Sequence, residues 1–329
     1  MARNTWMLIL VAGAMVLAGC TQRPSGIKAY VNGRLAAEHG HTAQAIAELS
    51  KAIARNPQMA LAYQARADLY RKSHHLNKAA DDYQHVTQLD PYNFHSFFEL
   101  GRIYQQLQKF EQSISAYQHA LQLQPSNTHV AMNLAVAYAQ AGHPFRGILY
   151  GKRAVDGGRK DFAALANLGA IYAQAAAKDA AYRAKAINYL KQSLELQPHQ
   201  PRVYLNLAEV YLKAGEFTDA GRVLRTSMKL APSALASERL GYCYYKLHNL
   251  HSAKRAYLEA LTLKPNYFPA LNGLGVVSMT QSIEHPDSMH AGRLSAQAIK
   301  YWKASLKANP NQPLIQKLVK RFSQHSSSQ

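Results

Sequence analysis

The chain is poor in cysteine, in acidic side chains and in long apolar runs. Two cysteines in 329 residues leave no room for a disulfide framework or a four-cysteine zinc site. Nineteen Asp and Glu stand against 38 Lys and Arg, a formal charge of +19. That balance favours anionic partners: nucleic acid, acidic lipid, phosphorylated glycan or an acidic protein face. Eighteen glycines and thirteen prolines are too few for a collagen or a linker protein, and the 48% apolar content is too high for a disordered chain. The bulk of the sequence is therefore expected to fold.

One long apolar run is present, Trp6 to Ala18, preceded by Arg3 and followed by Gly19 and Cys20. Its thirteen residues would make about 20 Å of helix, short of the roughly 30 Å hydrocarbon core of a bilayer. The segment reads as an export signal rather than a membrane-spanning anchor. Leu17-Ala18-Gly19-Cys20 resembles the bacterial lipobox. The resemblance implies a signal peptide over 1–19, acylation of the Cys20 thiol and amino group, and a lipidated tether over 20–26. Acyl chains bury about 0.8 kcal/mol per CH2 group, which makes such an anchor effectively permanent. Residue 21 is Thr rather than Asp, which by the same resemblance implies the outer membrane, with the protein on its periplasmic side. Nucleic acid then drops out as a partner, and the membrane enters through the lipid anchor.

The prolines mark internal repeats. Pro57, Pro91, Pro125, Pro198, Pro232, Pro265 and Pro310 are spaced by 34, 34, 73, 34, 33 and 45 residues, and the long gap of 73 spans one missing rung at Arg159. Gly33, Ala67, Gly101, Ala208 and Gly241 each lie 24 residues before their proline. A second small residue follows twelve positions later at Ala45, Ala79, Ser113, Gly147, Ala220 and Ala253. Leu and Tyr flank the first small site, as in Leu100 and Tyr104 or Leu207 and Tyr211. Each unit reads as two amphipathic helices of 3.6-residue period, the proline closing the second.

This pattern resembles the tetratricopeptide repeat. The resemblance implies an all-α fold, a right-handed α-solenoid superhelix of about eight helical hairpins over 27–312. Extra residues are expected near 175–179 and 281–291, a capping helix over 313–322 and a disordered tail over 323–329.

Catalytic chemistry is not legible. His39, His41, His74 and His75 are the nearest to a histidine cluster, falling at turns of adjacent units where a metal site is geometrically possible and solvated turn residues are the plainer alternative. Ser282 to Gly292 contains Ser, His, Asp and Glu but no rigid pocket to align them, and Gly157-Gly158 is no phosphate loop. Cys243 is expected to be buried as a small hydrophobe. No cofactor, no metal and no enzymatic activity are expected.

The polar pattern points to binding. Asn133, Asn167 and Asn206 each stand two residues before their small site. By the tetratricopeptide resemblance this position faces an inner groove, where an amide can donate to and accept from an extended peptide backbone; local helix preference explains the same residues equally well. The same resemblance adds Tyr30, Arg34, Arg71, Phe98 and Arg102 in early units and Arg202, Glu209, Tyr242 and Tyr245 in later ones. Between them it puts His129 with the small or apolar Met132, Val136, Ala166 and Ala170. Basic residues interleaved with aromatics would suit an acidic segment or a C-terminal carboxylate. Lipobox and repeats together resemble the pilotin-type lipoproteins of type IV and tight-adherence pili and, more loosely, the assembly lipoproteins of the outer membrane. They imply a membrane-anchored scaffold that binds protein or peptide partners of the cell envelope, during assembly of a complex such as a pilus or secretion system. The alternative is an adaptor whose basic faces bind an anionic glycan or lipopolysaccharide.

Overall fold

A computed structural model describes residues 26–286 and 290–325. The signal segment, Cys20 and the tether up to Ser25 lie outside the described residues, as do 326–329. Among the described residues there are seventeen α-helices, one short 3-10 turn and no strand.

The helices form two compact units divided in the chain between Ala141 and Gly142. The first unit holds α1 (Ile27–Glu38), α2 (Thr42–Arg55), α3 (Ala60–Lys72), α4 (Leu76–Leu89), α5 (Phe94–Gln106), α6 (Phe110–Leu123) and α7 (Thr128–Gln140). The second holds α8 (Pro144–Asp156), α9 (Phe162–Ala176), α10 (Arg183–Leu196), α11 (Pro201–Ala214), α12 (Phe217–Leu230) and α13 (Ala234–Lys246). It continues with α14 (Leu250–Leu263), α15 (Phe268–Glu284), α16 (Ala291–Ala308) and α17 (Pro313–His325). Within each unit consecutive helices pair as hairpins, and each hairpin packs on the next, so the apolar faces of neighbours close a shared core.

Hairpin formation follows from size complementarity. On every second helix but α8, where Gly151 takes the position, one large side chain lies on the small site of the first helix, and these large side chains are buried. A Cβ added to Gly101 would lie 2.6 Å from the Tyr117 ring, one on Gly33 2.8 Å from Leu49, and one on Gly169 2.8 Å from Leu190. Gly241 and Gly273 face the Tyr257 ring from two successive first helices, and Gly275 lies against Trp302. Burying each such side chain contributes roughly 1.5–3 kcal/mol.

The prolines act one residue upstream of themselves. Each repeat proline stands two residues beyond the end of a second helix. The residue before it is forced toward extended geometry, with ψ of 90° at Asn56, 88° at Asp90 and 101° at Ala231. The missing rung confirms the rule by exception. After α8 no proline follows, Gly157 keeps ψ at 8°, and Gly158 turns the chain with φ of 104°.

The turn inside the hairpin needs a left-handed residue. Gly40, Gly142 and Gly215 supply it at φ 77–83°, while His74, Gln108 and His248 occupy the same register at φ 58–59° at a steric cost. Hairpins five and eight carry the extra residues there. In hairpin five α9 runs on to Ala176 and a 3-10 turn, Ala180–Tyr182, precedes α10, whereas in hairpin eight α15 extends to Glu284.

Two expected boundaries are corrected. Gly26, assigned to the tether, is buried, and a Cβ there would lie 2.5 Å from the Ala52 carbonyl oxygen. At the other end, α17 continues through His325, so 323–325 are helical rather than tail. Its apolar stripe explains why: Ile315, Leu318, Val319 and Phe322 cover Met279 and Trp302, which would otherwise face water.

Gln108→Gly removes left-handed strain and should raise the urea midpoint of the first unit, by about 1 kcal/mol of stability. Gly101→Ala should lower it by roughly 1–3 kcal/mol, because the enclosed Tyr117 ring has nowhere to retreat.

Candidate functional site

In the first unit the anticipated cations do not stand free. Arg102 Nη1 donates to both Glu99 oxygens, at 2.9 and 3.2 Å. Arg71 Nε lies 3.3 Å from Glu99 Oε2, an ion-pair distance without hydrogen-bond alignment, and 4.0 Å separates its Nη2 from Asp68. Glu99 is 5% exposed, so two guanidinium groups compensate one buried carboxylate. Phe98 stacks on Phe94 at 5.9 Å and meets the Tyr117 ring at 6.0 Å with a 56° tilt, beneath the Arg102 guanidinium. The exposed Arg34 approaches the Tyr30 hydroxyl at 3.5 Å and lines an open cleft of about 800 Å³ with Ala65, Asp68 and Lys72.

Asp68 joins this network. It accepts from the Tyr83 hydroxyl and lies 3.3 Å from His95 Nε2. Burial pushes its carboxyl up, yet the hydrogen bonds with His95 and Tyr83 and the Arg71 charge hold it below the usual range. The Asp68 hydrogen bond raises the His95 imidazole in turn, against burial. Burial, and then the bond to Asp68, pushes the Tyr83 phenol up and keeps it a donor. A second pair is structural: Arg66 grips Asp82 through two 2.8 Å bonds and reaches Ser50 Oγ at 2.8 Å.

The second unit is more open. Asn167 on α9 and Asn206 on α11 are exposed and have no hydrogen-bond partner among the described residues. Asn206 edges a cleft of about 600 Å³ floored by Ala170, Ala173, Ala176 and Val210 and rimmed by Arg183, Glu209 and Lys213. Glu209 lies 3.7 Å from both Lys213 and Arg239. Arg202 is exposed with no ionic partner among the described residues. Tyr242 meets Phe217 edge-on at 6.0 Å and keeps 38% of its surface in solvent. Tyr245 packs on the Ala253–Tyr257 cluster and is scaffold. Burial pushes the Glu238 carboxyl up, opposed by Arg239 at 3.7 Å.

One geometric relation sorts the asparagines. Their register, two residues before the small site, faces the large side chain of the preceding second helix. Asn133 is half-buried beside the Tyr117 phenol, whose hydroxyl donates to Gln105 Oε1 at 3.2 Å, and Gly273 lies against the Tyr257 ring. Ahead of Asn167 and Asn206 the corresponding residues are Gly151 and Leu190, which carry no ring. Those two amides are therefore left to solvent. Asn272, one position out of register, donates to Gln312 Oε1 at 2.8 Å and braces α17.

Glu99 was the residue that sequence reasoning passed over. It occupies the asparagine register of the third hairpin, and Arg239 occupies it in the seventh; tabulating that one column would have exposed both. Cys243 is fully buried with its thiol pushed up to about 11 by burial. Among the described residues no three His, Cys, Asp or Glu side chains stand close enough to hold a metal.

Comparison with known proteins agrees with this geometry. Residues 183–237 and 236–267 match tetratricopeptide repeat models, and 36–146 match a model of the Psidin N-terminal tetratricopeptide region. Over the matched residues the repeats are tetratricopeptide repeats. A tetratricopeptide repeat-containing protein of Caenorhabditis elegans, trd-1, is 29% identical over 117 residues, which is 35% of this chain but only 15% of that protein. Among solved structures, a tetratricopeptide repeat protein from Parabacteroides merdae aligns with TM-score 0.58 at 16% identity, over 79% of this chain and 97% of that one. PilW, a type IV pilus biogenesis factor, aligns with TM-score 0.55 at 20% identity, over 63% and 94%. At these identities the likeness is one of tetratricopeptide fold.

The linked pair in the first unit predicts a pH response. His95 has a raised folded value, so its contribution is present below the ordinary imidazole value of 6.5 and lost as pH rises through the raised one. Asp68 has a lowered value, so its contribution is present above the ordinary 3.8 and lost as pH falls through the lowered one. Wild-type stability in urea should therefore decline above neutrality more steeply than that of His95→Gln. Imidazole titration by NMR should show His95 returning to the ordinary range in Asp68→Asn.

Proposed function

We propose that the protein is a membrane-anchored scaffold that holds extended segments of cell-envelope proteins while a larger complex, such as a pilus or secretion system, is assembled. The carrying observation is the pair of solvent-facing amides Asn167 and Asn206, the second at the edge of an apolar cleft. An amide that has no partner in its own fold can both donate to and accept from a passing backbone, and so reads main chain rather than sequence. The alanine floor admits one aliphatic side chain of the guest, and Arg183 and Lys213 at the rim favour an acidic neighbour.

Acylation of Cys20 and retention at the periplasmic side of the outer membrane complete the reading. Their support is the pattern Leu17-Ala18-Gly19-Cys20 with Thr21 after it. The fold likeness to PilW is compatible with a role in pilus assembly.

A photocrosslinker at position 206 should capture polypeptide in living cells. Asn167→Ala with Asn206→Ala should weaken the captured peptide by on the order of 1–3 kcal/mol with helix content unchanged; undiminished affinity overturns the amide reading. Cys20→Ser should abolish palmitate labelling and release the chain from the membrane fraction, and persistent labelling would place the anchor elsewhere.

A further inference from the structure

The charge excess is unevenly placed. Residues 142–329 contain 26 Lys and Arg against 11 Asp and Glu, whereas 26–141 contain 10 against 8. From residue 288 to the C-terminus there is no Asp or Glu at all. In that stretch the cations are arranged. Arg293, Lys300, Lys303 and Lys307 are all exposed on α16, and at 100° per residue they fall within an arc of about 80° along roughly 21 Å of helix. The opposite face, Ala298, Ile299, Trp302 and Ser305, is the one buried against the array.

Neighbouring α17 adds the exposed Lys317 and Lys320. Among the described residues none of these six cations has a carboxylate partner. Like charges three and four residues apart on a helix repel, each pair costing a few tenths of a kcal/mol. The lane is therefore kept at a local electrostatic cost that an anionic surface would reverse.

We propose that α16 and α17 form a docking face for an anionic phospholipid bilayer, independent of the peptide cleft and of Cys20. Three features favour a bilayer over a nucleic acid or another polyanion. Five of the six cations are lysines, compact point charges that meet a diffuse sheet of headgroups without the fork geometry that guanidinium brings to individual phosphates. No aromatic ring lies in the α16 lane to stack a base. At the start of α17, Leu314 is 69% exposed, an aliphatic group that a headgroup layer accepts and a hydrated polyanion does not.

The test uses the full chain made without acylation, sedimented with vesicles of phosphatidylcholine alone and of phosphatidylcholine mixed with phosphatidylglycerol. Any pull from the N-terminal apolar run is common to both vesicle types, so the difference between them reports the electrostatic contact. Each charge removed from a contact face should lower that difference about fivefold. The set Arg293→Gln, Lys300→Gln, Lys303→Gln and Lys307→Gln should therefore lose it by a factor of several hundred. A remote set of equal charge, Lys152→Gln, Lys185→Gln, Lys191→Gln and Lys229→Gln, should stay within a few fold of wild type. Equal loss in both sets would reduce the contact to net charge, and an unaffected lane variant would remove the face. Duplex DNA bound through the lane, with no dependence on phosphatidylglycerol, would reassign it to a polyanion. Each of these three outcomes overturns the proposal.

Discussion

Everything in this molecule depends on one close approach, a large side chain of the second helix, in every hairpin but that of Gly151, seated on a residue of the first that has little or no side chain. The enclosed rings of Tyr117, Tyr257 and Trp302 leave no room for a Cβ on the glycines beneath them. Because a lone hairpin covers only one side of its seated ring, it has little to hold it. Stacking adds the second half of the contact, as when Gly273 of the following hairpin covers the far face of Tyr257. The same seating explains the alanine-rich composition, since a residue at a crossing is selected for smallness before anything else.

That contact also determines which polar residues are available for binding. Where the seated side chain is Tyr117, its ring reaches the register of the following hairpin and leaves Asn133 half-buried beside it, while the hydroxyl itself donates to Gln105. Where the residue in that position is Gly151 or Leu190, no ring reaches the register and the amide there is left to solvent. Identical asparagines thus have different fates for a reason that lies one helix upstream. The cleft beside Asn206 has the same origin, because Ala170, Ala173 and Ala176 leave the space that larger residues would fill.

The repeat period, the hairpin boundaries and the capping stripe were legible in the sequence because they follow from spacing. Proline acts on its immediate predecessor, and glycine or alanine on a helix opposite, so local rules carry them. The ionic network was not legible, because a carboxylate such as Glu99 is compensated by Arg71 of the preceding hairpin as well as by Arg102 of its own helix. Arg71 and Arg102 look like groove cations in one dimension and prove to be counter-ions in three. The buried Arg66–Asp82 pair is hidden in the same way, its members sixteen residues apart on different helices.

The contrast between the units follows from that pairing. In the first, acids and bases are nearly balanced and several meet in buried or half-buried pairs, so their fields cancel at short range and little reaches solvent. In the second the bases outnumber the acids by more than two to one, and many stand on the solvent faces of second helices. Unpaired charge on an exposed face adds almost nothing to folding and extends only about a Debye length, roughly 8–10 Å, into physiological solution. Such charge acts when another charged surface comes within that distance. A scaffold that must keep a peptide cleft open on its first helices can carry attraction for an anionic surface on its second helices without either function disturbing the other.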